Sequence, residues 1–293
     1  MNELLATVFT GLVIDENDQY YFVQKNGITF ALSKTEGSYE LGAMVEGFGY
    51  LNHKQAPEMT TKIPTIRKEQ YGFGTVTGTR KDLGAFVDIG LADKDVVVSL
   101  DELPTMKELW PKKEDRLMIA LKVDQKNRIW GTLADEKEFN GLAKRGHDEL
   151  KNADMTGTVY RLKLAGSYLL TQDFYLGFVH SSERYQEPRL GEVVKGRVIG
   201  IRPDGVLNMS LKPRSYEVID DDAEMILTFL KRAADHQIPF TDKSDPAAIK
   251  QTFGISKAQF KRALGNLIKS KLIKQKNGAT LLMKNSEENT SSN

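Results

Sequence analysis

Two aromatic side chains, Phe86 and Tyr168, occupy the same place in a pattern that the chain uses twice. The first copy covers residues 74–103 (GTVTGTRKDLGAFVDIGLADKDVVVSLDEL) and the second covers residues 157–183 (GTVYRLKLAGSYLLTQDFYLGFVHSSE). Each copy has Gly-x-Val, then a glycine followed by a small, an aromatic and an aliphatic residue, then an aliphatic run that ends near a glutamate. A repeat of this content predicts small β-barrels, and their aromatics offer stacking rather than bond-making chemistry.

Strand alternation places the first of these aromatics outside its barrel. Ala85, Val87 and Ile89 share one face of the predicted strand, whereas Phe86 lies on the other face. An outward aromatic has two interpretations that stay open here: packing against a neighbouring loop or domain, and stacking on a base of single-stranded nucleic acid. The second is worth roughly 1 to 3 kcal/mol per base.

Basic side chains lie upstream of the first aromatic and on later strands of both repeats. They could neutralise phosphates, although each one taken singly also suits a solvated surface charge. Alternation with Val194, Gly196 and Val198 points two of them outward on one strand. The candidates in the predicted barrels are Arg80, Lys81, Lys122, Arg128, Lys195 and Arg197.

Residue types that carry covalent or metal chemistry are scarce. The chain has no cysteine, which excludes disulfides, thiol nucleophiles and cysteine-based zinc sites. Its four histidines are scattered over separate segments, and His180 has no partner at a recognisable metal-ligand spacing. We therefore expect no enzyme, metal site or cofactor. A ribonuclease is kept as an alternative, although a nuclease would need clustered carboxylates or histidines.

Charge is strongly polarised along the chain although the net charge is only +1. Residues 1–64 hold 4 basic and 8 acidic groups, whereas residues 246–284 hold 9 basic groups and no acidic one. Such a basic block can attract a phosphate backbone, so a polyanion site is predicted near the C-terminus. No run approaches the roughly 18 apolar residues of a membrane span, and no signal peptide is recognisable, which favours the cytoplasm.

Turn residues and hydrophobic spacing divide the first 214 residues into three β units. Short runs rich in aromatic and β-branched residues predict a divergent barrel over residues 1–64. The second unit, residues 65–146, ends in a charged connector, and the third covers residues 147–214. The charge of the first unit, 4 minus 8 or −4, argues against strong phosphate contact.

Helical spacing replaces strand alternation in residues 215–284. Asp245 and Gly254 bracket a short helix, and Ser256 with Gln259 forms a capping box at the start of the next. A hairpin around Asn277-Gly278 follows, which completes the order of a winged helix. Residues 285–293 are polar and predicted to be disordered. The basic candidates on the last helix and hairpin are Lys257, Lys261, Arg262, Lys269, Lys274 and Lys276.

The two repeated segments resemble S1-type RNA-binding domains, a subclass of the OB fold. That family joins a Gly-x-Val strand to Gly-Ala-Phe-Val and then to Gly-Leu-Val-His-x-Ser-Glu. The resemblance implies RNA contact at Phe86 in GAFV and at His180 in GFVHSSE, and it pairs Tyr168 in GSYL with Phe86. The aromatic that often precedes Gly-Ala-Phe is absent from both copies, and Ser99 stands at the histidine position of the second unit. The first unit resembles the pattern through YYFV and a Gly-initiated third strand, which implies Tyr20, Phe22 and Phe30 as candidate contacts.

Three S1-type barrels followed by a winged helix, in about 290 residues, are similar to the bacterial conserved virulence factor B family. The resemblance covers nearly the whole chain and implies a mainly β, multidomain, cytoplasmic RNA-binding protein that affects expression of other genes. We therefore predict a non-catalytic RNA-binding regulator. The alternatives are a DNA-binding transcription regulator acting through the winged helix, the ribonuclease above, and a protein-binding adaptor; the sequence leaves the oligomeric state open.

Overall fold

The computed structural model describes residues 3–213, 221–233 and 235–283. It divides the chain into two compact units, residues 1–211 and 212–293. The predicted disordered tail, residues 285–293, lies outside the described residues. In the part of the chain that the structure describes, no helix is long and apolar enough to cross a membrane.

Three closed five-stranded barrels make up the first compact unit, residues 1–211. The repeat predicts the second and third of them, and the short runs between turns predict the first. In each barrel the first strand pairs with the second and the fourth, and the third strand runs parallel to the fifth. The first barrel has β1 (Val8–Glu16), β2 (Tyr20–Lys25), β3 (Ile28–Ser33), β4 (Met44–Leu51) and β5 (Pro57–Thr60). The second has β6 (Gly72–Arg80), β7 (Gly84–Asp88), β8 (Val96–Ser99), β9 (Arg116–Val123) and β10 (Ile129–Leu133). The third has β11 (Asp154–Lys163), β12 (Gly166–Thr171), β13 (Leu176–His180), β14 (Val193–Ile201) and β15 (Leu207–Ser210).

The glycine that opens the second strand of the repeat permits a close approach of two strands. A β-carbon on Gly84 would lie 1.9 Å from the Val98 carbonyl oxygen, and Gly84 has a φ of +137°. A β-carbon on Gly166 would lie 2.2 Å from the Val179 carbonyl oxygen. Any larger residue would push the second strand away from the third, which explains why both copies of the pattern have glycine here.

The first two barrels share one continuous apolar core. It runs from Phe30 and Phe48 in the first barrel through the linker residue Ile66 to Val87 and Ile119 in the second. The linker is also bound to both barrels through its backbone, because the Lys68 amide donates to the Ala6 carbonyl and the Leu121 amide donates to the Arg67 carbonyl. The two barrels are therefore fixed to one another rather than flexibly tethered.

The third barrel is joined to the second by an ion pair and by a short helix. Arg189 donates to both carboxylate oxygens of Asp115, each at 3.1 Å, and the Asp115 side chain is only 8% exposed. The charged connector contains helix α1 (Glu136–Leu142), which begins with a capping box at Asp135. Its Phe139 is buried and packs nearly parallel to Tyr160 of the third barrel, with ring centroids 3.8 Å apart.

The second compact unit, residues 212–293 and called the winged-helix unit from here on, has the helix and hairpin order of a winged helix. Its elements are α2 (Asp221–Arg232), β16 (Gln237–Ile238), α3 (Pro246–Phe253), α4 (Lys257–Lys269), β17 (Ile273–Lys276) and β18 (Ala279–Leu282). The predicted capping box forms, since the Ser256 hydroxyl accepts from the Gln259 amide while the Gln259 side chain accepts from the Ser256 amide. Strand β16, which was not predicted, pairs with the β17–β18 hairpin.

Candidate nucleic-acid interface

Register across the sheet defines one outward row of side chains on the second barrel. Gly78 of β6 lies opposite Phe86 of β7, which lies opposite Val97 of β8, and Val97 lies opposite Trp130 of β10. Lys122 of β9 completes the row opposite Trp130. Phe86 is half-buried, and its neighbours in sequence, Ala85 and Val87, belong to the core as alternation predicts. The row therefore presents two aromatic rings and an apolar side chain between them.

Trp130 is surrounded by polar groups that fix its ring. The Arg128 guanidinium lies 5.2 Å from the ring centroid, and the Trp130 indole donates to Asp124 at 3.2 Å. Asp124 also accepts from Arg128, and hydrogen bonds from the Arg128 backbone and side chain lower the pKa of Asp124 to about 2. The ring is held rigidly, which suits a stacking platform because little conformational freedom is lost when a base binds.

Three basic candidates of this barrel already have acidic partners. Arg80 pairs with Asp82 at 2.6 Å, Lys122 pairs with Glu102 at 2.5 Å, and Arg128 pairs with Asp124 at 2.7 Å. These pairs are at least partly exposed, so a phosphate can reach the cations. To bind one, it must displace the carboxylate with which that cation is already paired. Lys81 is exposed in the turn between β6 and β7.

The same row on the third barrel also carries two aromatic rings, and a histidine ring lies beside them. Arg161 lies opposite Tyr168, which lies opposite Phe178, which lies opposite Asn208. The ring centroids of Tyr168 and Phe178 are 5.0 Å apart, and those of Phe178 and His180 are 6.3 Å apart. The structure thus brings the two predicted residues, Tyr168 and His180, together through Phe178.

Cations lie over these rings. The Lys163 ammonium is 5.1 Å from the Tyr168 ring centroid, and the Arg202 guanidinium is 5.9 Å from the Phe178 centroid. The carboxylate of Glu136, at the start of α1, pairs with Arg161 at 2.7 Å and with Lys163 at 3.7 Å. A cleft of about 490 Å³ lies here, and among its lining residues are Lys144, Arg145, Tyr160, Tyr168 and Arg202. Aromatic faces and positive charge are therefore combined in one place.

His180 has a structural role in addition to its place beside the rings. It ends β13, and its Nδ1 accepts from the Ser182 amide, which caps the following 3₁₀ turn. Ser99 caps the corresponding turn of the second barrel with its hydroxyl, and Ser33 does so in the first. The structure thus supports the equivalence of His180 and Ser99 predicted from the motif, and it shows that both side chains satisfy a backbone amide there.

Lys195 and Arg197 do not join the aromatic row. Both alternate with core residues on β14 as predicted, but they lie opposite Thr156 and Asp154 near the start of β11. Arg161, the β11 member of the row, is five residues further along the strand than Thr156, or roughly 15 Å at the rise of a strand. These two cations therefore lie apart from the aromatic row, and Arg197 lies opposite an acidic residue, Asp154.

The first barrel carries an acidic version of the row. Asp15, Phe22, Ala31, Glu58 and Tyr50 occupy it in order, which gives two carboxylates and no cation. Burial and a hydrogen bond to Glu58 raise the pKa of Tyr50. The charge of the row opposes phosphate contact, in agreement with the composition of residues 1–64.

The prediction that Phe30 of the first barrel contacts a ligand is wrong. Phe30 is fully buried, because it shares the inward face of β3 with Leu32 and packs 4.9 Å from Phe9. Phe22 lies on the outward row, and Tyr20 is half-buried at the start of β2.

The winged-helix unit presents its basic residues on α4 and on the hairpin. Phe260, Leu264 and Leu267 of α4 face the core, which leaves the other face to the charged residues. Arg262 lies 3.5 Å from Asp222 of α2. The basic candidates on these two elements are Lys257, Lys261, Arg262 and Lys269 on α4, and Lys274 and Lys276 on β17.

Several row members were missed by the sequence analysis. Phe178 is two residues before His180, so alternation along β13 was enough to find it. Trp130 lies on a last strand whose parallel partner is 33 residues away, and no local signal places it beside Phe86. Among the described residues, no three His, Asp or Glu side chains are grouped so that they could hold a metal ion.

Comparison with protein-family models gives a match in every part of the chain described above. Residues 7–62 match the S1 domain, residues 71–132 match the first S1-like domain of CvfB, residues 139–213 match the second domain of the virulence regulatory factor CvfB, and residues 224–282 match the CvfB-like winged helix domain. S1 and winged-helix domains are nucleic-acid-binding folds rather than catalytic ones.

Relatives with names or solved structures cover nearly the whole chain. The conserved virulence factor B of Staphylococcus epidermidis is 39% identical over 92% of this chain and 91% of its own length. The uncharacterized protein YitL of Bacillus subtilis is 40% identical over 92% and 91%. A crystal structure of a multidomain protein with nucleic acid binding domains from Streptococcus pneumoniae is 52% identical, has a TM-score of 0.71 and covers 97% of this chain and 100% of its own.

Proposed function

Because the chain belongs to the conserved virulence factor B family, we propose that it is a non-catalytic RNA-binding protein of the cytoplasm that regulates gene expression after transcription. The observation that carries the proposal is the row of rings Tyr168, Phe178 and His180 on the third barrel, with the Lys163 ammonium 5.1 Å from the Tyr168 centroid. Relatives named conserved virulence factors support virulence-related genes as its targets.

Single-stranded RNA fits this row better than a duplex does. Bases that are not paired expose their flat faces, and these stack on aromatic rings while nearby cations neutralise the phosphates. Tyr168 and Phe178 provide adjacent platforms, and Lys163 and Arg202 lie over the same rings. Phe86 and Trp130 of the second barrel provide a second, smaller platform.

The winged-helix unit adds phosphate contacts of low sequence specificity. Base edges are read mainly by Arg, Asn and Gln side chains. On α4 the Gln259 side chain is engaged by the capping box, and Arg262 lies near Asp222. The lysines of α4 and β17 therefore supply charge rather than base recognition, and a second binding surface on the same chain raises affinity through effective concentration.

Mutation of the row tests the proposal directly. We expect the double variant Tyr168→Ala with Phe178→Ala to weaken binding of an oligoribonucleotide by at least tenfold, since each stacked base is worth roughly 1 to 3 kcal/mol. Tyr185→Ala is the matched control, because Tyr185 is 78% exposed and lies outside the row. Fluorescence anisotropy measures the affinity. Wild-type protein that binds no RNA at about 100 mM salt, or whose affinity is flat across ionic strength, would refute RNA binding.

A DNA-binding regulator is the second candidate, favoured by the lysine-rich face of α4. It predicts that duplex DNA displaces RNA from the protein and that Lys257→Glu with Lys261→Glu abolishes DNA binding. It also predicts that Tyr168→Ala leaves DNA affinity unchanged.

Incubation of labelled RNA with the protein and magnesium or manganese tests the proposal that the protein is non-catalytic. Defined cleavage products would overturn that proposal.

A further inference from the structure

A second ligand cleft lies where the first barrel meets the outward row of the second. Its volume is about 270 Å³, and it is bounded by the turn between β4 and β5 on one side and by β8 and β10 on the other. Leu83, Val97, Ile129 and Trp130 give it apolar and aromatic walls, and its polar lining residues are Gln55, Asp95, Lys94 and Arg128. Lys94 donates to the Leu51 carbonyl and Arg128 to Asp124, so we take Gln55 and Asp95 as the polar groups that contact a ligand. Pockets for drug-sized molecules begin at roughly 300 Å³, so this cleft suits a smaller, flat ligand such as one nucleobase.

The turn of the first barrel is held in one conformation by a buried amide. Asn52 is 8% exposed, and its Oδ1 accepts from the backbone amides of Lys54 and Ala56 at 2.8 and 3.0 Å. Its Nδ2 donates to Glu58 at 2.7 Å. Gln55, at the tip of this turn, is therefore carried on a rigid support.

Two contacts fix the same turn to the second barrel. The Lys94 ammonium donates to the Leu51 carbonyl at 2.6 Å, and Lys94 is half-buried. The backbone amide of His53 donates to Asp93 at 3.2 Å, and the His53 ring lies at the same distance from that carboxylate. The cleft is thus a preformed feature of the joined barrels, with the two walls held together by the contacts of Leu51 and His53, which precede Gln55 in the turn.

Gln55 has an unusual backbone for a residue with a long side chain. Its φ is +64°, in the left-handed region that glycine adopts without cost. The turn between β2 and β3 of the same barrel uses Asn26 and Gly27 at its left-handed positions. This backbone conformation, which Glu69, Glu114 and Lys271 also adopt, places the Gln55 amide at the tip of the turn, where it can donate and accept hydrogen bonds.

The polar groups of the cleft indicate which base it takes. Asp95 is held by a hydrogen bond from the Thr77 hydroxyl at 2.6 Å, and an ionised carboxylate can only accept. It repels phosphate but pairs with base N–H groups. Guanine alone among the RNA bases carries two adjacent N–H donors, N1–H and the 2-amino group, on its Watson–Crick edge.

We propose that this cleft binds one guanine base of single-stranded RNA. Trp130 stacks on the ring, Asp95 accepts from the two N–H groups, and Gln55 contacts the remaining polar edge. The inference rests on the proposed RNA-binding function and gives the first barrel a part in it, although its own row is acidic.

Oligouridylates of about ten nucleotides that carry one central guanine, adenine or cytosine, or none, test the proposal on the full chain. We expect the guanine oligomer to bind wild-type protein about tenfold more tightly than the other three. Asp95→Asn should remove this preference, so that the guanine oligomer binds no more tightly than the other three, and Gln55→Ala should reduce it. Asp18→Asn, which removes one exposed carboxylate of the first barrel, and Lys54→Ala, beside Gln55, are the controls, and both should keep it.

The outcomes separate this proposal from the broader one. Equal binding of all four oligomers by wild-type protein, or a guanine preference that survives Asp95→Asn, overturns the guanine site while RNA binding stands. Absence of binding to every oligomer overturns both. Thermal unfolding of each variant, with a midpoint close to that of wild type, confirms that a lost preference is not a lost fold.

Discussion

Glu136 of helix α1 holds two cations of the third barrel that face the aromatic row. Its carboxylate lies 2.7 Å from the Arg161 guanidinium and 3.7 Å from the Lys163 ammonium, and Lys163 is the cation over the Tyr168 ring. A phosphate that approaches this row must compete with the carboxylate. We expect Glu136→Gln to release both cations and to increase RNA affinity.

The size of the effect follows from the number of released cations. For single-stranded nucleic acid, the logarithm of affinity falls with the logarithm of salt concentration with a slope of roughly −0.7 per neutralised phosphate. Two additional contacts would steepen the slope by about 1.4. Between about 50 and about 200 mM salt, the affinity of Glu136→Gln should therefore fall roughly sevenfold more than that of wild type.

Anisotropy titrations of one oligoribonucleotide over this salt range measure both slopes. Glu149→Gln is the control, because it removes the same charge from an exposed glutamate of the connector that pairs only loosely with His147, at 3.8 Å. Equal slopes for Glu136→Gln and wild type would refute the idea that this carboxylate competes with phosphate. A steeper slope for Glu149→Gln as well would show an effect of net charge alone.

Two further predictions concern stability and pH. Gly84→Ala should destabilise the protein by about 3 kcal/mol, because its β-carbon would meet a carbonyl oxygen at 1.9 Å, whereas Gly78→Ala, with nothing within 4 Å, should be nearly neutral; thermal melts measure both. Because the folded-state pKa of Asp124 is lowered to about 2 from its ordinary value of 3.8, its stabilising contribution is present above the ordinary value and is lost as the pH falls through about 2. Trp130 fluorescence, read in wild type against Asp124→Asn, should therefore stay constant from pH 8 down to pH 4, and an Asp124-dependent change within that interval would contradict the assignment.

Local patterns predicted much of the fold. Alternation placed Ala85 and Val87 in the core and Phe86 outside, and the capping box at Ser256 located the start of α4. Such signals arise between residues that are close in sequence, so they can be read without the tertiary structure. The error at Phe30 arose because its aromatic type alone suggested exposure. The local alternation of Phe30 and Leu32, which places both on one inward face, indicates burial instead.

The candidate site was predicted only in part, because closure of a barrel joins distant strands. Trp130 comes beside Phe86 through β8, and Glu102 reaches Lys122 from 20 residues away. The cleft beside Gln55 depends on a contact between barrels, and no spacing in the sequence reports it. Non-local pairing of this kind is set by the packing of the whole unit.

The core that the first two barrels share has a consequence for how this architecture can evolve. Ile66 and the backbone of the linker join the interiors of both barrels, so neither barrel has a complete surface of its own. Loss or exchange of one barrel would expose apolar side chains of the other to water. We therefore expect the two barrels to be kept or lost together, since the acidic first barrel covers apolar side chains of its partner even though its own row opposes phosphate.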